Sequence, residues 1–356
     1  MSRILVINPG GGSTKLAVFD DEKCVFNYSI THPHEELAKF KNAYSQRAYR
    51  EQAITDVLED ESIDLSGLDA IVGRGGALKP LESGTYLVNE TLAEDIRAGR
   101  VQAEHASNLG ALIAYELAEP LGKPAFMVDP VSVDEFTAEA RLSGIPEITR
   151  KSLDHPLNAK MVARKAAAEL DTTYSAINVI VAHLGTGISV SAHETGRVVD
   201  VNNAHDGGPF STQRAGSLPV TQLIGLCYSG RLTHREMFAK LTREGGLKAY
   251  LGTDDLPTAE ARAKAGDEKA GLVIRAMAYQ IAREIGACAA VLRGKVDAII
   301  FTGGIAHSTY VIGLVRERTD FITPHVFIFP GEHEMESMAL GVLRVLRGEE
   351  RAKEYM

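Results

Sequence analysis

The sequence is poor in cysteine, in long apolar runs and in clustered positive charge, and each shortage closes off a class of protein. Its cysteines, Cys24, Cys227 and Cys288, are odd in number, far apart and without Cys-x-x-Cys spacing. Such a set fits free thiols in a reducing cytoplasm better than a secreted disulfide framework or a zinc site. No apolar stretch reaches the roughly 18 residues that a membrane helix needs. Only Ile4 to Ile7 precede Asn8 as an apolar run, too short for the core of a secretion signal. Net charge is −9 and no long Lys/Arg run occurs, so neither nucleic acid nor membrane is expected as a partner. The expectation is a soluble, cytoplasmic protein.

Several nucleotide and catalytic signatures are missing as well. No Gly-x-x-x-x-Gly-Lys-Ser/Thr loop opens a helix. Gly185-Thr186-Gly187 leads into another strand, which excludes a Rossmann fingerprint. There is no His-Glu-x-x-His and no Gly-x-Ser-x-Gly elbow. His32-Pro33-His34 and Glu332-His333-Glu334 stand alone and read as solvated surface rather than transition-metal sites.

What is present begins at Ile4. The run Ile4 to Ile7, the turn Asn8-Pro-Gly-Gly-Gly-Ser-Thr-Lys15 and the run Leu16 to Phe19 read as a strand, a polar glycine turn and a returning strand. Such a turn is either a plain Gly-rich hairpin or a cradle of N–H groups, hydroxyls and one Lys for an anion such as phosphate. Half a chain later the pattern recurs. Ile177 to Ala182 is a β-branched run, His183 to Gly187 a glycine turn, and Ile188 to Ala192 a return strand. Each hairpin has a third strand after it, Cys24 to Ile30 and Arg197 to Val201, which suggests an internal duplication. A chain of 356 residues, 45% hydrophobic and 24% charged, has room for two well-packed domains.

Between these landmarks the spacing predicts helices over Glu35–Glu61, Glu90–Ala98, Ala106–Glu119, Pro156–Leu170, Pro219–Cys227, Thr233–Leu241, Glu268–Leu292 and Met335–Leu346. Strands are predicted over Asp69–Val72, Ala125–Val128, Asp297–Phe301 and Val326–Phe329. The third of the helices is expected to stop at Pro120 and Gly122. His155 falls at the N-terminal edge of the fourth, and the seventh is expected to lie between layers. The crossing from one domain to the other is expected near Ile145 to Asp154.

Six segments occur in order: Asn8 to Lys15, Gly73-Arg-Gly-Gly76, His183-Leu-Gly-Thr-Gly187, Ser211-Thr-Gln-Arg-Ala-Gly216, Phe301-Thr-Gly-Gly-Ile305 and Pro330-Gly-Glu-His-Glu334. Together they resemble the acetate and butyrate kinase family, the acetokinases of the actin-like ATPase superfamily, over nearly the whole chain. Within it the sequence looks closest to the butyrate kinases, through Val128 to Phe136, the double Gly after Arg74 and Gly-Glu-x-Glu-Met-Glu at 331–336.

The resemblance implies an α/β fold of two actin-like (ribonuclease H-like) ATPase domains with an interdomain cleft. Residues 1–148 with 336–356 would form the acid-binding side, and 149–335 the nucleotide-binding side. It implies reversible, Mg2+-assisted transfer of the γ-phosphoryl group of ATP to butyrate or a similar short-chain acid. The rivals are a kinase for isobutyrate, propionate or acetate, or a non-catalytic ATP switch on the same fold. A homodimer or larger homo-oligomer is implied too.

The chemistry suits the residues. A carboxylate nucleophile is already ionised, so no general base is needed, and the difficulty is repulsion between two anions. Positioning and positive charge must supply the catalysis. Arg74, between Gly73 and Gly75, can fork to two oxygens of the acid or acyl phosphate. By resemblance Arg214 meets the phosphoryl group in flight and His155 stabilises it. Arg74, His155, Arg214 and Asp129 are the catalytic expectations, and Asn8, Arg74, Gly76 and His105 the acid-binding ones. Ser13, Lys15, His183, Gly185, Gly187, Gly303 and Gly304 would hold the phosphates and nucleotide. Glu334 and Asp129 would hold the metal, with Glu332 and Glu336 close enough in sequence to compete with Glu334.

Three positions depart from the family. Thr186 stands where acetate kinases have Asn, Asp154 precedes His155 where an aromatic residue is common, and Gly76 replaces a bulkier apolar residue. The last change is expected to make room for a longer acyl chain, with a graded preference, since one methylene is worth about 1–3 kcal/mol.

Overall fold

The structure, a computed structural model, describes residues 1–356. They group into two compact units, Met1–Asp134 with His333–Met356, and Glu135–Glu332. Residues 135–148 group with the second unit.

The first unit opens with the antiparallel meander β1 (Arg3–Pro9), β2 (Ser13–Asp20) and β3 (Lys23–Thr31). After the short helix α1 (His34–Leu37) comes α2 (Arg47–Asp60). The stretch 35–61, expected to be mostly helical, holds α1, a 3-10 turn at Tyr44–Gln46 and α2, with a non-helical segment after α1. Strand β4 (Ala70–Arg74) runs parallel to β1, and β5 (Thr85–Leu87) follows. Helices α3 (Glu90–Arg97) and α4 (Asn108–Ala118) lead to β6 (Ala125–Val128), which pairs in parallel with β4.

The second unit repeats the opening. After α5 (Ala138–Arg141) and α6 (Pro156–Glu169), strands β7 (Asn178–Leu184), β8 (Ile188–Glu194) and β9 (Arg197–Val201) form the same antiparallel meander. Helices α7 (Val220–Cys227), α8 (His234–Thr242), α9 (Gly246–Leu251), α10 (Leu256–Lys264) and α11 (Glu268–Val291) come next. Strand β10 (Ala298–Gly303) pairs in parallel with β7, and β11 (Val326–Pro330), after α12 (Thr309–Arg316), pairs in parallel with β10. The chain then returns to the first unit as α13 (Glu334–Leu346) and β12 (Lys353–Glu354).

The two sheets have the orders β12-β5-β6-β4-β1-β2-β3 and β11-β10-β7-β8-β9. From β3 to β6 and from β9 to β11 the pairing runs antiparallel, antiparallel, parallel, parallel in both. Even the irregularity recurs, between Val18 and Phe19 in one sheet and between Ala192 and His193 in the other.

Burial on both faces explains why the central strands read as continuous apolar runs rather than alternating ones. In the first unit Leu5, Ile7, Ile71 and Met127 pack against Leu109, Leu112 and Ile113 of α4. Helix α13 packs on β1, β4 and β6, and its Gly341 lies against Val128, on the opposite face. In the second unit α11 covers one face through Ile274, Met277, Ile281 and Ile285, with α9, α10 and α12 packed on it in turn. The other face meets a strip of small residues on α6, Ala159, Ala163, Ala166 and Ala167. The loops at the strand ends are thereby held by rigid layers, and the candidate site residues sit on those ends.

Candidate functional site

In the first unit three elements bring their ends together. Asn8 is near the end of β1, Arg74 is the last residue of β4, and Glu334 is the first residue of α13. Arg74 donates from one guanidinium nitrogen to Glu334 Oε2 at 2.6 Å and to Asn8 Oδ1 at 3.2 Å. Asn8 Nδ2 donates to the same Glu334 oxygen at 2.9 Å. Arg74 Nε is buried with no acceptor in the protein. The Glu336 carboxylate lies 3.3 Å from His333 Nδ1.

The strand pairing sets Lys15 directly opposite Asn8, on the same face of the sheet. Ser13 begins β2, and its carbonyl closes the turn by accepting from Gly10 N–H at 2.7 Å. His105 Nδ1 accepts from Ser107 N–H at 3.1 Å, which leaves the ring proton on Nε2. Burial first, then the charges of Arg74 and Arg50, lower the His105 pKa, so this imidazole is a neutral donor. Asp129 follows β6 with a positive φ of 36°. Its Oδ1 accepts from Ser83 Oγ at 2.7 Å and Gly84 N–H at 2.8 Å, which ties it to the loop before β5.

In the second unit the expected phosphate groups converge. His155 caps α6 and stacks on His183 of β7, with ring centroids 3.9 Å apart and planes 10° from parallel. Asn158 Nδ2 lies 2.9 Å from His183 Nδ1. An amide nitrogen can only donate, so His183 carries its proton on Nε2, the nitrogen that borders Gly185. His155 Nδ1 lies 3.2 Å from Ser189 Oγ. Arg214 lies so close against Gly187 that any side chain there would meet its guanidinium. Its loop is fixed by Ser211, whose hydroxyl receives Arg214 N–H at 3.1 Å and donates to the Thr186 carbonyl. Burial pulls the Arg214 guanidinium below its ordinary value, and its charge in turn helps burial lower His205. No acid in the protein pairs with it, so a partly desolvated cation faces the Gly185–Gly187 turn.

Beside this turn lies a cavity of about 360 Å³ lined by Gly185, Thr186, Thr212, Asp254, Gly304 and Ser308, among others. A larger apolar cavity of about 870 Å³ lies among α7, α8, α9 and α11, and none of the candidate residues lines it. The smaller one is the better ligand site, because polar groups and the Arg214 turn border it.

Two expectations change. The room expected at Gly76 is filled by Asn108, whose Oδ1 accepts from Ala77 N–H at 2.9 Å, so the glycine admits a helix-start side chain rather than an acyl chain. Gly73, likewise, lies against the backbone of Gly110 in α4, and Gly75 against Met127 and Pro130. These two glycines allow close packing of the protein on itself. Gly303 has a φ of 86° and lies against the Leu184 backbone, bridging to Gly331 through paired N–H and C=O bonds of 3.1 and 3.0 Å. Of the two glycines at 303–304, only Gly304 opens onto the cavity. Asn158 and Ser211, which orient His183 and Arg214, carry no sequence signal beyond their proximity to His155 and Arg214.

The pattern of the acetokinase family (Acetate_kinase) matches residues 148–321. The acetate kinase of Porphyromonas gingivalis superposes with a TM-score of 0.78 at 19% identity, over 98% of this chain and 100% of that one. A propionate kinase from Francisella tularensis subsp. tularensis SCHU S4 gives 0.75 at 19% identity, over 96% and 99%. The acetate kinase of Entamoeba histolytica gives 0.71 at 15% identity, over 90% and 87%. The chain thus has an α/β fold of two actin-like ATPase-type domains, as these acid kinase structures have, and its segment 148–321 carries the acetokinase pattern.

Proposed function

We propose that this protein transfers the γ-phosphoryl group of ATP to a short-chain carboxylic acid, reversibly, and that butyrate is its preferred acceptor. The observation that carries the reading is Arg214, a partly buried guanidinium without an acid partner, set against the Gly187 turn and near the stacked pair His155–His183. A phosphate dianion is the partner such a group lacks. The cavity lined by Gly304 and Asp254 takes the rest of the nucleotide.

On the acid side, Arg74 already holds a carboxylate, that of Glu334. The substrate carboxylate takes over that donor, with Asn8 and the His105 N–H completing its surroundings. An ionised carboxylate attacks without a base, so the protein's task is to hold attacking oxygen and phosphorus in line and to spread positive charge over the equatorial oxygens. Arg214, His155 and the His183 Nε2–H do the latter. The first unit is the acid side and the second the nucleotide side.

The residues fit Mg2+ of the kind that accompanies a nucleotide. No group of three or more His, Cys, Asp or Glu is assembled as a cage, whereas the Glu334 carboxylate offers Oε1 while Oε2 is engaged by Arg74 and Asn8. Mg2+ takes most of its ligands from phosphate and water, so Glu334 alone suffices as the protein anchor. When bound, it neutralises charge on the phosphates.

The butyrate assignment rests on the segments at 128–136 and 331–336. A shorter acid, propionate or acetate, is the second reading, because Asn108 occupies the space beside Gly76. A homo-oligomer is supported by α7, an apolar helix none of whose residues is buried, with Val220 and Ile224 exposed on it and Tyr228 exposed just after it. No helix is long and apolar enough to cross a membrane, and three unpaired cysteines suit a cytoplasmic setting.

Hydroxylamine trapping tests the reading directly. With Mg-ATP and a series of straight-chain acids, an acyl hydroxamate should form, most rapidly with butyrate. No hydroxamate with any acid would overturn the kinase assignment, and a preference for acetate would overturn the choice of acid alone.

A further inference from the structure

Beneath the Asn8–Lys15 turn lies a charged residue that the proposed chemistry leaves unused. Arg50 of α2 has no exposed surface. Two of its nitrogens donate to Gln46 Oε1, at 3.0 and 2.9 Å. The remaining donors go to the turn: NH1 to the Ser13 carbonyl at 3.3 Å and Thr14 Oγ1 at 3.1 Å, and NH2 to the Gly11 carbonyl at 3.0 Å. The His32 N–H takes the Gly12 carbonyl at 2.9 Å. Three successive carbonyls of the turn are therefore drawn inward. The N–H groups of Gly11 and Gly12 have no acceptor in the protein, and both residues are exposed.

No carboxylate pairs with Arg50; Gln46 and Thr14 are its only side-chain acceptors. A buried cation left without a counter-charge is unfavourable, and a nearby anion offsets that cost. The charge is felt around it: with burial as the larger cause, it lowers the pKa of His32 to about 4, and it contributes to the lowering of His105. Neutral donors could have held the Gly11 and Ser13 carbonyls without this cost, as the His32 N–H holds that of Gly12. A turn with its carbonyls tied down, its N–H groups outward and a positive charge underneath is built for an anion.

We propose that Arg50 is a positioning residue for the phosphate turn, holding the Gly11 and Ser13 carbonyls inward and lending its buried charge to the phosphoryl group that the turn receives. The identity of that anion rests on the kinase reading; the role of Arg50 rests on the turn itself.

The test uses the full chain with Arg50→Lys, Arg50→Met and Thr14→Val, each checked for folding by circular dichroism. Calorimetric titration with Mg-ATP and turnover by hydroxamate formation are the readouts. Arg50→Met should weaken Mg-ATP binding about tenfold or more, through loss of the buried charge beneath the turn and of the fork that sets its carbonyls. Arg50→Lys should restore most of that affinity through its charge. Its kcat should stay about tenfold or more below the parent, with KM for the acid little changed, because the fork that sets the carbonyls is gone. A purely structural Arg would change the melting temperature of these variants and leave affinity and kcat of the folded protein alone, and that result would overturn the proposal. If neither Arg50 variant folds, Thr14→Val decides: a fall in kcat with Mg-ATP affinity retained supports the proposal, and parental kcat refutes it. A parent that binds Mg-ATP and forms no hydroxamate removes the kinase reading alone, and the binding ratios of the variants then judge Arg50.

Discussion

Arg214 and Gly187 are a single feature at the scale of the residue. The glycine is required because the guanidinium occupies the place of its side chain, and the guanidinium is useful because nothing in the protein neutralises it. Arg214→Ala should lower kcat by about 100-fold or more with folding intact, the usual consequence of removing a preorganised charge from a developing anion. Gly187→Ala should lower kcat in the same direction, because its methyl group displaces the guanidinium. Steady-state kinetics on both variants checks this; parental kcat in Gly187→Ala would show that Arg214 need not lie where it does.

His32 carries a second residue-scale consequence. Its Nε2 lies 2.8 Å from Thr14 Oγ1, and burial, then the charge of Arg50, depress its pKa to about 4. Unfolded, the same group titrates near 6.5. Between those values the unfolded chain binds more protons, so stability falls as pH drops from about 6.5 towards 4. Melting temperature followed over that window should fall less steeply in His32→Gln than in the parent. Parallel curves for the two proteins would refute the assignment.

Among elements, the contact of α4 with β4 decides where Arg74 points. Gly110 sits on the Arg74 backbone, with Pro9 alongside, and Gly73 faces Gly110 in return. Ala in place of a helical Gly ordinarily stabilises by about 0.5–1 kcal/mol. Here the methyl group would meet backbone, so Gly110→Ala should destabilise by about 1–3 kcal/mol, the cost of overpacking. It should also raise KM for the acid, since Arg74 shifts with β4. Denaturant unfolding with acid-dependence kinetics tests both, and a stabilised variant would mean the helix can move away freely.

The elements themselves were unequally legible. Strand β9 and β6 match their sequence ranges, and α6, α11 and α13 agree within a residue or two, because long apolar periodicity and end signals mark them. Strands β5 and β12 are too short to show any period, and each exists only because a partner strand is there to pair with it. Helix α10 had readable signals, an Asp255 cap and Pro257 in the first turn, that composition alone does not rank above a loop. The break before α2 is marked by Asn42 and Ser45, where Ser45 N–H donates to Asn42 Oδ1 at 2.9 Å and the Ser45 hydroxyl to the Asn42 carbonyl at 2.7 Å, local bonds that compete with the helix.

For the whole molecule, the two units have separate cores: the cluster around Leu5 and Leu112 belongs wholly to the first, and those around Ile281 and Val179 wholly to the second. Two cores of this kind break the all-or-none behaviour of a small domain. Scanning calorimetry should give a calorimetric enthalpy larger than the van't Hoff value, with Mg-ATP at about 100 times its Kd adding about 2.7 kcal/mol to the state that binds it. Equal enthalpies would show instead that the units unfold as one.

By itself the sequence determined the repeated strand–turn–strand opening, the α/β class and the residues worth watching. The opening and the class rest on local alternation and turn chemistry, which spacing displays, and the residues on the resemblance that six ordered segments carry. Tertiary structure decided what each of those residues meets. Asn8 and Glu334 are 326 positions apart, Arg74 and Glu334 are 260 apart, yet they share one carboxylate oxygen. Whether a glycine opens space or admits a neighbour, as at Gly76 and Gly73, depends on an element folded back from elsewhere in the chain. The same holds for charge. Arg50 looks like any other arginine in sequence, and only packing shows that burial has taken its water without supplying an acid.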